Sequence, residues 1–251
     1  MYDKSARLKS ILVIVATVGV IAFNYLAAMG YINDVTPGYV SDKYPSLITP
    51  AGYAFSIWSL IYLGLIAFSI YQALPANAER FRSLRSVYIL SCAANCGWIY
   101  FWHHEAILIS VGVIFLLLGT LAFINVNLRK TETAGEFWFA KFPFGLYFGW
   151  VTAASILNAT IALIYLKIQI ADSVAVFLGA GLLLIAAALG VIIRFRLNNP
   201  FYPLAIAWAL TAIAVKQSGQ TLVVAAAAVG VIISLIAAIS YLVKLNASTD
   251  E

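Results

Sequence analysis

Apolar runs long enough to cross a bilayer follow one another from one end of this chain to the other. A membrane-spanning helix needs about 20 mostly apolar residues. Such runs cover about residues 10–29, 51–73, 84–102, 106–128, 142–166, 173–194 and 221–245, with a shorter one at about 201–215. Composition agrees: of 251 residues, 63% are hydrophobic and 10% charged. A soluble domain is about 45–50% apolar and about 25% charged. So few charges cannot solvate a globular surface, and so many apolar residues exclude disorder. The fold class expected is all-α: a polytopic helical bundle of about eight transmembrane helices with short loops.

The breaks between runs carry turn chemistry: Pro37-Gly38, Pro75, the polar stretch from Arg129 to Lys141, Asn198-Asn199-Pro200 and Ser218-Gly219. The first run follows Lys4, Arg7 and Lys9, as a signal sequence would. It is longer than the usual 7–15-residue signal core, so an uncleaved anchor helix is expected. Basic residues test the helix count, because cytoplasmic loops are enriched in Lys and Arg. With eight crossings, Lys4, Arg7, Lys9, Arg80, Arg82, Arg85, Arg129, Lys130, Lys141, Arg194, Arg196 and Lys244 fall on one side. Only Lys43, Lys167 and Lys216 fall on the other. Both termini are therefore expected in the cytoplasm, with the 31–50 loop outside. The net charge of +5 reads as membrane topology, and no nucleic-acid partner is expected.

The acidic residues all fall in tails, loops or helix ends. Mid-membrane carboxylates mark proton relays and ion-coupled carriers, so a coupled transporter is disfavoured and a facilitator is not. Lys216 closes a helix, where its stem can snorkel to the interface. His103-His104-Glu105 are consecutive rather than spaced i, i+4, so no metal site is assigned. Cys92 and Cys96, four apart in an apolar run, are buried thiols rather than a zinc or redox pair. No catalytic residue is assigned.

What remains for chemistry is aromatic and amide. Phe55, Trp58 and Tyr62 recur at i, i+3, i+7, which places them on one face of the second helix. Asn95, Trp98 and Trp102 repeat that spacing on the third. Trp150, Ala154 and Asn158 share a broad face of the fifth. Asparagine facing lipid is costly, so Asn95 and Asn158 should point inward, as ligand contacts or as interhelical links. At 1.5 Å rise per residue, Trp58, Trp98 and Asn158 lie about 10, 6 and 12 Å from the outer helix ends, one common level. Flat rings with a few amides suit a flat, largely apolar ligand. Trp102, Trp138 and Tyr31, near helix ends, are expected in the interfacial belt.

At these same residues the sequence resembles the translocator protein family, also called TspO or tryptophan-rich sensory proteins. PSLITPAGYAFSIWSLIYLG, from Pro45 to Gly64, carries Pro50, Phe55, Trp58 and Tyr62 at the family spacing. Asn95, Trp98, Phe101 and Trp102 are similar to the third-helix motif. FPFGLYFGWVTAASILN supplies Pro143, Trp150, Leu157 and Asn158 of the fifth. Ala51 stands for the second proline of the usual pair, and Pro143 lies seven residues before Trp150 rather than four. The resemblance covers about residues 1–167, as a five-helix domain. Residues 168–251 form a further three-helix extension, as in a longer branch of the family.

The resemblance implies a cavity closed by the 31–50 loop. It also implies binding of porphyrins, sterols or related flat apolar molecules by Phe55, Trp58, Tyr62, Asn95, Trp98, Phe101, Trp150 and Asn158. No cofactor is required, and a porphyrin or other tetrapyrrole is the candidate ligand. A sterol-type pattern, Leu163, Tyr165 and Lys167, ends the fifth helix. The function expected is a membrane ligand-binding protein, sensor or translocator. The alternatives are a facilitative small-molecule transporter using the last three helices, and a light-dependent porphyrin-modifying enzyme. Expected partners are the lipid bilayer, a hydrophobic small molecule and, as a candidate, a second copy in a homodimer.

Overall fold

The computed structural model describes residues 4–247, with side chains through Tyr241. Asp3, Asp250, Glu251 and the Lys244 side chain lie outside what it describes. Eight long helices run through the described residues: α1 (Lys4–Ala28), α3 (Ile57–Tyr71), α4 (Arg82–His103), α5 (Ile107–Asn127), α7 (Phe142–Tyr165), α8 (Asp172–Arg196), α9 (Phe201–Lys216) and α10 (Thr221–Ala247). A short helix, α2 (Pro37–Lys43), lies in the connection between α1 and α3. α6 (Ala134–Glu136) and a π-helical turn (Phe137–Lys141) lead into α7. Six segments are long and apolar enough to cross a membrane by themselves. Two long helices are not among them. α9 has only 16 residues, and α4 has 22 but carries Arg82, Arg85, Asn95 and four serines or histidines besides. The chain is thus an all-helical, multi-pass bundle.

The residues form two compact units, one of 1–43 with 57–144 and one of 44–56 with 145–251. In the first unit α1, α3, α4 and α5 pack around an aromatic core. Phe68 meets Phe144, Tyr88 and Phe81 at centroid distances of 4.7, 5.3 and 5.5 Å, and all four are buried. Gly64 permits a close helix approach: a Cβ there would stand 2.5 Å from the Pro143 Cβ. Polar links join the helices where the sequence is otherwise apolar. Thr17 and Tyr88 share a 2.6 Å hydrogen bond, and Asn24 Nδ2 donates to Asn95 Oδ1 at 2.6 Å.

One end of this unit is stitched by cations. Arg85 is buried and donates to Gln72 Oε1, the Gln72 carbonyl and the Ala6 carbonyl. This fixes the starts of α1 and α4 at one end. Arg80 pairs with Glu136 at 2.8 Å, and buried Lys141 donates to the Arg129 carbonyl at the end of α5. At the opposite end the α2 segment is fastened to α4. The Trp102 indole donates to the Pro37 carbonyl, Asn33 Nδ2 donates to the His103 carbonyl, and Lys43 pairs with Glu105 at 2.5 Å. The Lys43–Glu105 hydrogen bond raises the Lys43 pKa above its ordinary value.

In the second unit α7 from Gly145 packs against α9, and α8, α9 and α10 pack on one another. Small residues four apart on α7 let backbones approach, as transmembrane interfaces favour. A Cβ at Gly149 would lie 2.5 Å from the Tyr202 carbonyl oxygen, and one at Gly145 would overlap the Asn199 amide. The Tyr202 hydroxyl donates to Thr152 Oγ1 at 2.8 Å along the same contact. Gly230 of α10 meets Leu210 and Ala187 in the same manner.

Residues 44–51 are not helical, and Gly52–Ser56 form a 3₁₀ turn. This segment, the strap, lies against the second unit's helices. Gln217 Nε2 donates to the Ser46 and Thr49 carbonyls at 3.0 and 3.2 Å. Ala51 N–H donates to the Ala212 carbonyl, and the Trp208 indole to the Ala54 carbonyl at 2.9 Å.

Candidate functional site

The aromatic and amide residues fall into separate groups, one in each unit, because the chain leaves the first unit at Lys43 and returns at Ile57. In the first unit Trp58 and Tyr62 stack on α3, with centroids 5.3 Å apart and planes at 18°. Four residues is one helical turn, which stacks side chains of one face over each other. On α4, Trp98 and Trp102 lie 6.3 Å apart at 34°, and the Phe101 ring meets Tyr100 edge-on at 5.5 Å. Asn95 points inward as expected, and its amide oxygen is taken by Asn24. The link to α1 is the interhelical reading of that residue. Trp98 is buried, and its indole N–H has no hydrogen-bond partner.

In the second unit Phe55 meets Trp150 edge-to-face at 6.0 Å and 82°. Trp150 and Asn158 are buried on α7, two turns apart. The grouping of Phe55 with Trp58 and Tyr62 on one helical face is corrected. Phe55 sits in the 3₁₀ turn, which winds at about 3.0 residues per turn rather than 3.6, and the α-helix begins only at Ile57.

Trp102 is also corrected. It does not sit in the interfacial belt: it is 4% exposed and its indole holds the Pro37 carbonyl. Trp138 and Tyr31 stand exposed, at 55% and 73%. Of the sterol-type pattern, Leu163 and Tyr165 stand exposed at the end of α7. The Tyr165 ring meets Tyr44 of the strap edge-on at 6.1 Å. Lys167 follows in the turn with φ of 55°.

Sequence reasoning missed Asn24, Trp208 and Gln217. The rule that flagged Asn95, an amide in an apolar run, applies equally to Asn24. Nothing local marks Gln217, whose partners are 168 and 171 residues away. An apolar recess of about 20 Å³ in the second unit is walled by Ile48 of the strap, Ala153 and Ile156 of α7, and residues of α8 and α9. It has room for about one water. None of the residues singled out from the sequence lines it. Among the described residues no group of three or more His, Cys, Asp or Glu gathers to hold a metal.

No curated protein and no solved structure matches the chain. The model of the TSPO-like protein family matches residues 10–241. That match runs through α8, α9 and most of α10, beyond the five helices that carry the motifs. The chain belongs to the TSPO-like protein family, as a multi-pass membrane protein of the ligand-binding and translocator type.

Proposed function

We propose that this protein binds flat, largely apolar molecules of the porphyrin or sterol class from the membrane. The observation that carries the reading is the Trp98 indole N–H, buried on α4 without an acceptor. An unsatisfied buried donor costs about 1–3 kcal/mol, and a ligand carboxylate or hydroxyl supplies the missing acceptor. The stacked Trp58 and Tyr62, in the same unit as Trp98, supply ring faces. Aromatic pairs of this kind contribute about 0.5–1.5 kcal/mol beyond area burial.

The test is titration of purified protein with protoporphyrin IX, followed by tryptophan quenching, with a sterol as competitor. Saturable quenching is expected. Trp98→Phe should weaken binding about fivefold or more, the equivalent of one lost hydrogen bond of about 1 kcal/mol. Trp58→Ala should weaken it further. Quenching that never saturates, or that both variants leave intact, refutes the reading. Both termini are placed in the cytoplasm by this proposal, supported by the basic residues gathered at the Arg85 end. A reporter fused to the C-terminus that is active only outside would overturn that orientation.

A further inference from the structure

Arg194 carries a charge that the described residues of the second unit do not balance. It lies in the last turn of α8, is 2% exposed, and is among the largest fully buried side chains. Among the described residues of that unit Asp172 alone carries a carboxylate. Asp172 heads α8 at its far end, about 33 Å away along the axis at 1.5 Å per residue. A buried cation left without an anion is strongly unfavourable.

What the protein supplies is partial. Nε donates to the Ala237 carbonyl of α10 at 3.1 Å. That carbonyl also accepts from the Ser240 hydroxyl at 2.7 Å, so its capacity is divided. Nη1 reaches Asn198 Oδ1 only at 3.4 Å, beyond the usual range for such a bond. A guanidinium has five N–H groups, and these two are the ones with acceptors among the described residues. The Nη2 edge is left open. Two rings hold the fork in its plane: the guanidinium carbon lies 5.1 Å from the Phe195 centroid and 5.0 Å from that of Tyr241. Such contacts orient a cation without neutralising it.

Depth matters as well. Arg194 precedes the end of α8 at Arg196 by about 3 Å of helix rise, the level at which a membrane helix meets headgroups. Arg196 itself is exposed.

We propose that the α8–α10 end of the second unit binds a phosphate oxyanion on the open edge of Arg194, from an anionic phospholipid headgroup or from free phosphate. A guanidinium fork matches phosphate oxygens two at a time. Basic pockets between membrane helices receive lipid headgroups through the same chemistry. The bound anion supplies the missing counter-charge at the point where α8 meets α10. The site lies wholly within the second unit and rests on neither the ligand-binding reading nor the aromatic motifs.

Native mass spectrometry of the full chain, titrated with phosphatidylglycerol and with phosphatidylcholine, tests it. The wild type should hold one phosphatidylglycerol more tightly than the rest, and prefer it to phosphatidylcholine. Hydrogen bonds to a charged group are being removed, so Arg194→Gln should weaken that first uptake about tenfold to a hundredfold. Arg196→Gln removes the same charge from an exposed position and should change it by about twofold or less. Circular dichroism and size exclusion report whether each chain folds. Should Arg194→Gln not fold, Arg194→Lys takes its place: it keeps the charge, loses the fork, and should weaken uptake about fivefold.

A second arm separates the sources. The thermal midpoint is compared in sodium phosphate and in sodium chloride of equal ionic strength. A rise in phosphate that needs Arg194 assigns the free ion. Phosphatidylglycerol uptake that needs Arg194 and persists in that phosphate assigns the headgroup. Neither effect in the wild type, or effects of wild-type size in the Arg194 variant that folds, overturns the proposal. Asp250 and Glu251 lie outside the described residues and provide the last check. Anion uptake that is absent from the wild type and emerges in Asp250→Asn/Glu251→Gln would make the tail the counter-ion, which also overturns it.

Discussion

Gly149→Ala adds one methyl group, and the structure sets its consequence. The new Cβ would lie 2.5 Å from the Tyr202 carbonyl oxygen and 2.8 Å from the Ala205 Cβ. Carbon–oxygen contacts ordinarily begin at about 3.3 Å, so α7 and α9 must separate by nearly 1 Å. Overpacking of that kind costs about 1–3 kcal/mol. Separation also stretches the 2.8 Å Tyr202–Thr152 hydrogen bond, a further loss of about 0.5–1.5 kcal/mol. Against this stands the helix propensity of alanine over glycine, about 0.8–1.0 kcal/mol. The net expectation is a destabilisation of about 1–3 kcal/mol. Gly181→Ala on α8 is the reference, because a Cβ there meets nothing within 4 Å. It gains the propensity term alone and should stabilise by up to about 1 kcal/mol. Reversible unfolding by SDS in mixed micelles, followed by circular dichroism, measures both. Two variants that shift in the same direction by the same amount would refute the close α7–α9 contact.

Other expectations follow from the first unit. A double-mutant cycle on Asn24→Ala and Asn95→Ala should give a coupling of about 0.6 kcal/mol and no more than about 1.7; additivity would mean that their 2.6 Å bond contributes nothing. The Lys43 pKa is raised by its hydrogen bond to Glu105. Its contribution to holding α2 is therefore complete below the ordinary lysine value of 10.5 and is lost as pH rises beyond it. The Val40 amide shift, followed by NMR from pH 8 to 12, should change only in the upper part of that range. Lys43→Met should abolish that transition, and a change below pH 10 that survives the substitution would show another group at work. High salt should loosen the same exposed pair.

The helices were legible because lipid imposes a coarse rule: long apolar runs, punctuated by Pro, Gly and charge. Every expected run overlaps an observed long helix, although α1 begins six residues earlier than expected and α3 six residues later. The inward direction of Asn95 and Asn158 was legible for the same reason, since lipid rejects amides. Partners were not. Periodicity gives the face on which Asn95 lies, but not that Asn24, 71 residues away, waits there. Phe55 was misplaced because a 3₁₀ turn and an α-helix share an i, i+3 repeat over so short a stretch. Trp102 was misplaced because a ring near a helix end reads as interfacial unless a loop returns to cover it, and Pro37 does. Arg85 and Lys141 read as loop charges, yet they are buried against backbone carbonyls. No local pattern encodes a carbonyl acceptor. The Gly145 and Gly149 pair did carry a visible signal, small residues four apart in a membrane helix.

The polarity of α4 has a consequence for how the protein is made. Taken alone, its Arg82, Arg85, Asn95 and serines hold it out of lipid, because arginine costs about 2.5–3.5 kcal/mol at a helix centre during insertion, less near the ends. α5 is among the most apolar segments, with mean hydropathy 2.8, and only His104, Glu105 and Ala106 separate the two. The translocon therefore receives them as one hairpin, in which the surplus apolarity of α5 draws α4 across. A glycosylation-reporter fusion should show α4 failing to insert by itself and inserting when α5 follows. Insertion of α4 alone with full efficiency would contradict this. The seam that later receives Asn24 and Thr17 is carried into the bilayer by a neighbour, before α4 has found the partners that satisfy it.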